Sequence, residues 1–197
     1  MSNNPKERID SYVTDMLALE HHIKDALETQ LKDLENYPEV KRRTEEFLNT
    51  VEFHVSSLEG LSNARGAKGG ASMIKKAGSK VLGVAAGTID LLRHEGMPKD
   101  LRDNYTAFSL AHIGYVMLHA SAMSLSQPDA AALAERHLAD YARVLMTINH
   151  MIPAATIAFL KEEGLPASSA ELPRISESID RGWRESSGIP KADEVRI

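Results

Sequence analysis

The chain has 197 residues, 43% of them hydrophobic, with 23 basic and 28 acidic side chains and a net charge of −5. That suits one globular domain, with or without a tail, and apolar mass enough for a sizeable core. It gives no general attraction for nucleic acid or anionic membrane, and with no cysteine present disulfides and thiolate metal sites are excluded.

The polar first ten residues lack the apolar stretch of a secretory signal. No run of about 18 apolar residues stands out as a membrane span. A cytoplasmic protein is expected. Aromatic residues are 5% of the chain and alternating β-branched runs are missing, so strands are not expected.

The first helix is predicted from about Lys6 to Glu35. At 100° per residue its apolar stripe is Ile9, Val13, Met16, Leu17, Ile23, Leu27, Leu31 and Leu34. Glu20 falls in the middle of that stripe, while His21 and His22 fall on the solvent side. A carboxylate in a core is costly unless it is paired, protonated or bound to a cation. A partner Lys or Arg, a wet core or a metal ion would each account for it.

Asn36-Tyr37-Pro38 breaks the first helix, and Pro38 suits the first turn of the second. The second helix is predicted to run to about Leu61. His54 lies at one edge of its stripe, and Glu52 and Glu59 lie beyond the other edge. A lone edge histidine is more often a hydrogen-bonded core residue than a ligand.

Residues 62–98 read as a long crossover, rich in Gly, Lys and Ala over 63–80. It lacks the GxxxxGK[ST] spacing of a phosphate loop and no strand precedes it. A short helix is expected over about Ser72 to His94, ended by Gly96 and Pro98.

A third helix is predicted from about Lys99 to Leu125, apolar almost all round. One face carries Ala107, Ala111, Gly114, Leu118 and Ser121. The other carries Phe108, His112, Tyr115, Val116, His119 and Met123. Such a helix is buried on two sides, one facing the other helices and one a partner subunit or the tail. His112 and His119 are expected to line that interface.

Gln127-Pro128-Asp129 makes a turn, and the fourth helix is predicted to reach about Glu163 with a bend near Pro153. Its stripe includes Leu133, Ala134, Tyr141, Val144, Ile148 and Ile152. His137 is central in it and Asp140 lies inside it. A histidine and an aspartate three residues apart share a face, so they either converge on an ion or hydrogen-bond each other. The segment 164–197 is read as a C-terminal extension with one weak helix near Trp183, wrapping the helices or a partner.

Two helical hairpins joined by one long crossover have ferritin-like connectivity. The fold expected is all-α, a ferritin-like four-helix bundle over residues 1–163. Glu20, His54, His137 and Asp140 would point toward its axis as a metal site. Oxygen and imidazole donors suit iron, manganese or zinc.

The segments LALEHHIKDALETQL (17–31) and TEEFLNTVEFHVSSLEGL (44–61) resemble the first hairpin of the DUF892 family of ferritin-like bacterial stress proteins. Glu20 matches the acidic residue of the first helix, and His54, Val55, Leu58 and Glu59 fall in register in the second. RDNYTAFSLAHIGYVMLH (102–119) and HLADYARVL (137–145) match more loosely, with Asp140 at an acidic position.

The resemblance implies a ferritin-like fold, often dimeric, with a di-metal site. Departures accompany it. Thr50 stands at an expected Glu, and Gly114 or His112 at another. The chain has no ExxH, which a carboxylate-bridged di-iron centre requires twice. A mononuclear, altered or vestigial site fits better.

Three readings stay open. One is a metal-binding protein handling iron or another divalent metal. Another is a metal-free oligomeric scaffold. The third is a binder or enzyme using the His–Asp pair as general base.

Overall fold

A computed structural model describes residues 4–66 and 96–185. These form five α-helices: α1 (Pro5–Gln30), α2 (Pro38–Ala64), α3 (Gly96–Ser124), α4 (Pro128–Glu162) and α5 (Leu172–Glu185). A single 3₁₀ turn, Ser169–Glu171, precedes α5. No strand occurs among the described residues. The short helix expected over 72–94 lies outside them.

Helix starts follow local chemistry. The Asn4 side chain accepts from the Lys6 N–H at 3.0 Å and Pro5 takes the first position of α1, where its missing N–H costs nothing. Pro38 and Pro128 do the same for α2 and α4. Helix α1 ends at Gln30, short of the Glu35 expected, although Leu34 stays buried. The apolar spacing therefore outlasts the helix itself. Gly96, expected to end a helix, opens α3 instead with φ of +37°, a conformation glycine adopts without a Cβ penalty. Helix α4 continues through Pro153.

Helix α1 packs on α2 and α3 on α4, with cross-contacts between α1 and α3 and between α2 and α4. One apolar core results. Arg65, just past α2, closes one end. Its side chain, 6% exposed, reaches Asp10 at 2.6 Å, Asp129 at 2.8 Å and Gln127 at 2.9 Å. Along the α1–α2 seam Lys24 pairs with Glu52 at 3.0 Å and His21 approaches Glu59 at 3.9 Å. Both glutamates are thus flank residues, as their facing implies.

Helix α3 differs from its expected facing. Its buried stripe is Leu101, Asn104, Phe108, Ala111, Tyr115, Leu118 and Ala122, which mixes the two faces read from sequence. Val116 and Met123 are exposed. A helix without charges between Asn104 and Ser124 has no polar face to fix its rotation, so periodicity alone misassigns it. Gly114 faces α1: a Cβ there would lie 2.6 Å from Met16 Sδ.

Helix α4 is long and apolar enough to cross a membrane by length and composition, a property shared by core helices of soluble proteins. Scattered polar residues such as Thr147 and Asn149 hide this in a search for an unbroken run.

The tail helix α5 has no buried residue. It lies on α4 through His150–Asp180 at 3.2 Å. Trp183 lines a shallow apolar cleft with Tyr105, His112, Ile113 and Leu145, so His112 does face the tail. His119 instead holds the Ala131 carbonyl at 2.9 Å.

Candidate metal centre

Glu20, His54 and His137 come from three helices and meet in the core, each with 0% exposure. Their positions follow from the period-3.6 stripes of α1, α2 and α4. One ligand atom from each lies within 4.8 Å of the others.

Among the described residues Glu20 has no Lys or Arg partner. Tyr115 donates to its Oε1 at 2.6 Å and Tyr141 donates to its Oε2. His54 Nδ1 approaches Oε1 at 3.2 Å. Burial, and then the Glu20 charge, push both phenols well above their ordinary range, so both stay protonated donors in the ion-free site.

His54 spans the site. Its Nε2 lies 3.4 Å from Asp140 Oδ2, and Asp140 also accepts from Arg143 at 3.0 Å. With its side chain 29% exposed, Asp140 sits at the rim rather than in the core. Glu20, His54 and Asp140 thus form a polar line from the interior to solvent.

His137 is the anomaly. It stacks on His54 with ring centroids 3.7 Å apart and planes within 10°, and Tyr115 meets it edge-on at 4.9 Å. Both ring nitrogens are buried without a hydrogen-bond partner among the described residues. The His137–Asp140 bond that would have satisfied the pair does not form, because Asp140 turns to His54. Burial, then the neighbouring His54 and Arg136, depress the His137 pKa to about 2. The ring is neutral at physiological pH, the state in which imidazole binds metals.

An unpaired buried imidazole costs free energy. The donor set around it, two imidazoles and one carboxylate, is that of non-haem iron sites. The residues therefore fit a metal ion in kind. The fit requires one movement. Stacked rings keep their in-plane lone pairs in two separate, near-parallel planes, so His137 or His54 must rotate out of the stack for both to address one ion.

Sequence reasoning singled out all three of these residues but missed Tyr115 and Tyr141. For Tyr141, which lies in the apolar stripe of α4, the available signal was that a buried phenol needs a partner, with Glu20 the unsatisfied acceptor.

Together these features define an all-helical protein with a buried Glu–His–His group able to hold a metal ion. The chain belongs to the DUF892 family, whose model, described as a domain of unknown function, matches residues 5–161. Among solved structures it is similar to a protein from Xanthomonas campestris pv. campestris, with 19% identity and a TM-score of 0.65 over 82% of this chain and 99% of that one. At that identity the likeness concerns the fold. No curated protein matches the chain.

Proposed function

We propose that this chain is a ferritin-like metal-binding protein, a four-helix bundle of two antiparallel hairpins, with an altered site that takes one ion of iron or another divalent metal. The observation that carries the reading is His137, neutral, buried and, among the described residues, unpartnered on both nitrogens beside Glu20 and His54. A carboxylate-bridged pair of ions needs four glutamates and two histidines. Among the described residues Glu20 is the one buried carboxylate, which favours a single ion.

An iron ion held there would supply the one-electron and oxygen chemistry expected of a stress-related protein. The chain's own residues do the rest. Tyr115 and Tyr141 orient the Glu20 carboxylate. His54 would offer Nδ1, which already faces Glu20, while Asp140 holds the ring through Nε2. Phe53, near His137 at 6.2 Å between centroids, partly shields the pair.

Elemental analysis of protein purified without a chelating tag tests this reading. One ion per chain, lost on Glu20→Ala or His137→Ala, is expected. Protein that stays metal-free after reconstitution would refute it.

A second reading, an oligomeric scaffold that has lost its metal, draws on the outward face of α3. Leu110, Ile113, Val116, Met117 and Met123 are exposed there, an apolar patch of the kind that pairs with a second copy in a cytoplasmic homodimer. It predicts a dimer in light scattering that is indifferent to metal.

A further inference from the structure

Two buried phenols, Tyr115 and Tyr141, both end on the carboxylate at the centre of the metal group. Tyr115 Oη lies 2.6 Å from Glu20 Oε1 and His54 Nδ1 lies 3.2 Å from the same oxygen. Two neighbouring ligands on one ion, each bound at about 2.0–2.1 Å and at right angles, are themselves about 2.9 Å apart. The spacing of phenol, carboxylate and imidazole thus brackets that of adjacent ligands. The tyrosine rings also flank the imidazoles: Tyr141 meets His54 at 4.7 Å and Tyr115 meets His137 at 4.9 Å between centroids. Five donors from α1, α2, α3 and α4 therefore surround one small volume.

Charge narrows the choice of ion. Glu20, His54 and His137 are fully buried, and a buried site is stable when its charges cancel. Glu20 alone leaves a divalent ion with a surplus positive charge and a trivalent ion with two. Two phenolates with Glu20 balance a trivalent ion. Phenolate is a hard, anionic donor that iron accepts in proteins, and a highly charged cation reverses the ordinary preference of a buried phenol for its protonated form.

We infer that Tyr115 and Tyr141 are ligands in waiting, and that the centre is built to hold ferric iron through two phenolates together with Glu20, His54 and His137. This rests on the cluster being a metal site. In the binding step each phenol O–H bond breaks, the electron pair left on oxygen forms the O–Fe bond, and two protons leave for solvent. The iron enters and stays ferric, so no electron donor or acceptor is involved.

The test uses the full chain, stripped of metal and given ferric ion as its nitrilotriacetate complex, with zinc as a separate probe. A phenolate bound to ferric iron produces a broad visible charge-transfer band, and excitation in that band enhances phenolate ring vibrations in the Raman spectrum. Wild-type protein should take up one iron per chain and show both signatures. Tyr115→Phe and Tyr141→Phe should each weaken or shift the band, and the double variant should lose it.

Iron bound in wild type at one per chain without band or phenolate vibrations would overturn the inference and leave the metal site standing. So would a band that survives in the double variant. Failure of wild type to bind either iron or zinc would overturn both. The Raman measurement on wild type needs no variant, so the inference stays testable even if the double variant folds poorly.

Discussion

Replacing His137 with leucine should stabilise the metal-free protein at neutral pH, and the gain should grow in acid. Both ring nitrogens of His137 are buried and unpartnered, and leaving such a group unsatisfied costs about 1–3 kcal/mol each. Leucine has a similar volume and no polar atom. It forfeits the stacking on His54, worth about 0.5–1.5 kcal/mol. Taking the low end of the first term against the middle of the second leaves a gain of about 1 kcal/mol. For a chain of this size that raises the melting temperature by about 2–4 °C.

The acid dependence follows from linkage. The folded-state pKa of about 2 lies below the ordinary 6.5, so between those values the unfolded chain binds a proton that the folded chain does not. Wild-type stability is therefore complete above about pH 6.5 and declines as pH falls through the window, by up to about 1.4 kcal/mol per pH unit. At pH 5 the histidine penalty reaches about 2 kcal/mol, and His137→Leu escapes it. Urea denaturation of both proteins at pH 7.5 and pH 5.0, in the presence of chelator, measures the gap. A variant less stable than wild type at pH 7.5, or a gap that does not widen at pH 5.0, would show that His137 is satisfied in the fold and would remove the main argument for a ligand.

Glu20→Gln replaces one of the two accepting oxygens with an NH2 donor that faces a phenol O–H, so it should cost about 1–3 kcal/mol in denaturant melts and abolish metal uptake. Arg65→Met should cost a similar amount, because it strips Asp10 and Asp129 of their shared cation. For these two aspartates burial acts upward, but hydrogen bonds from Arg65, and from Lys6 to Asp10, prevail and hold the pKa down. Their contribution is present above the ordinary carboxylate range and lost as pH falls through the lowered folded values. The stability difference between Arg65→Met and wild type should accordingly shrink in acid titrations followed by circular dichroism. Trp183 is the one tryptophan of the chain and sits on α5, which buries no residue. Its fluorescence should change at a lower denaturant concentration than helicity at 222 nm, and coincident transitions would show that α5 unfolds with the core.

How much of this was legible in the sequence depends on the helix concerned. Glu20 and His137 interrupt well-defined apolar stripes on α1 and α4, so counting at 100° per residue turns them inward, and the structure buries both. His54 was read at an edge and is fully buried, because its neighbours on α4 close over it. Periodicity assigns a direction but no depth. That is why Asp140, on the same face as His137, ends at the rim with Arg143. Tyr115 was illegible as a site residue because α3 lacks a polar face to orient it. The stacking of His54 on His137 depends on the relative height of α2 and α4, which no single helix encodes. The end of α1 was overrun because Leu31 and Leu34 keep helical spacing after the backbone has turned.

X-ray absorption at the metal edge of the reconstituted full chain tests the central claim most directly. It reports the atoms around the ion whatever its role. A shell containing two imidazole nitrogens together with oxygen donors, reduced by one imidazole or lost in His137→Leu, is the predicted result. An ion surrounded by oxygens alone, with the same spectrum in His137→Leu, would place the metal elsewhere and contradict the account.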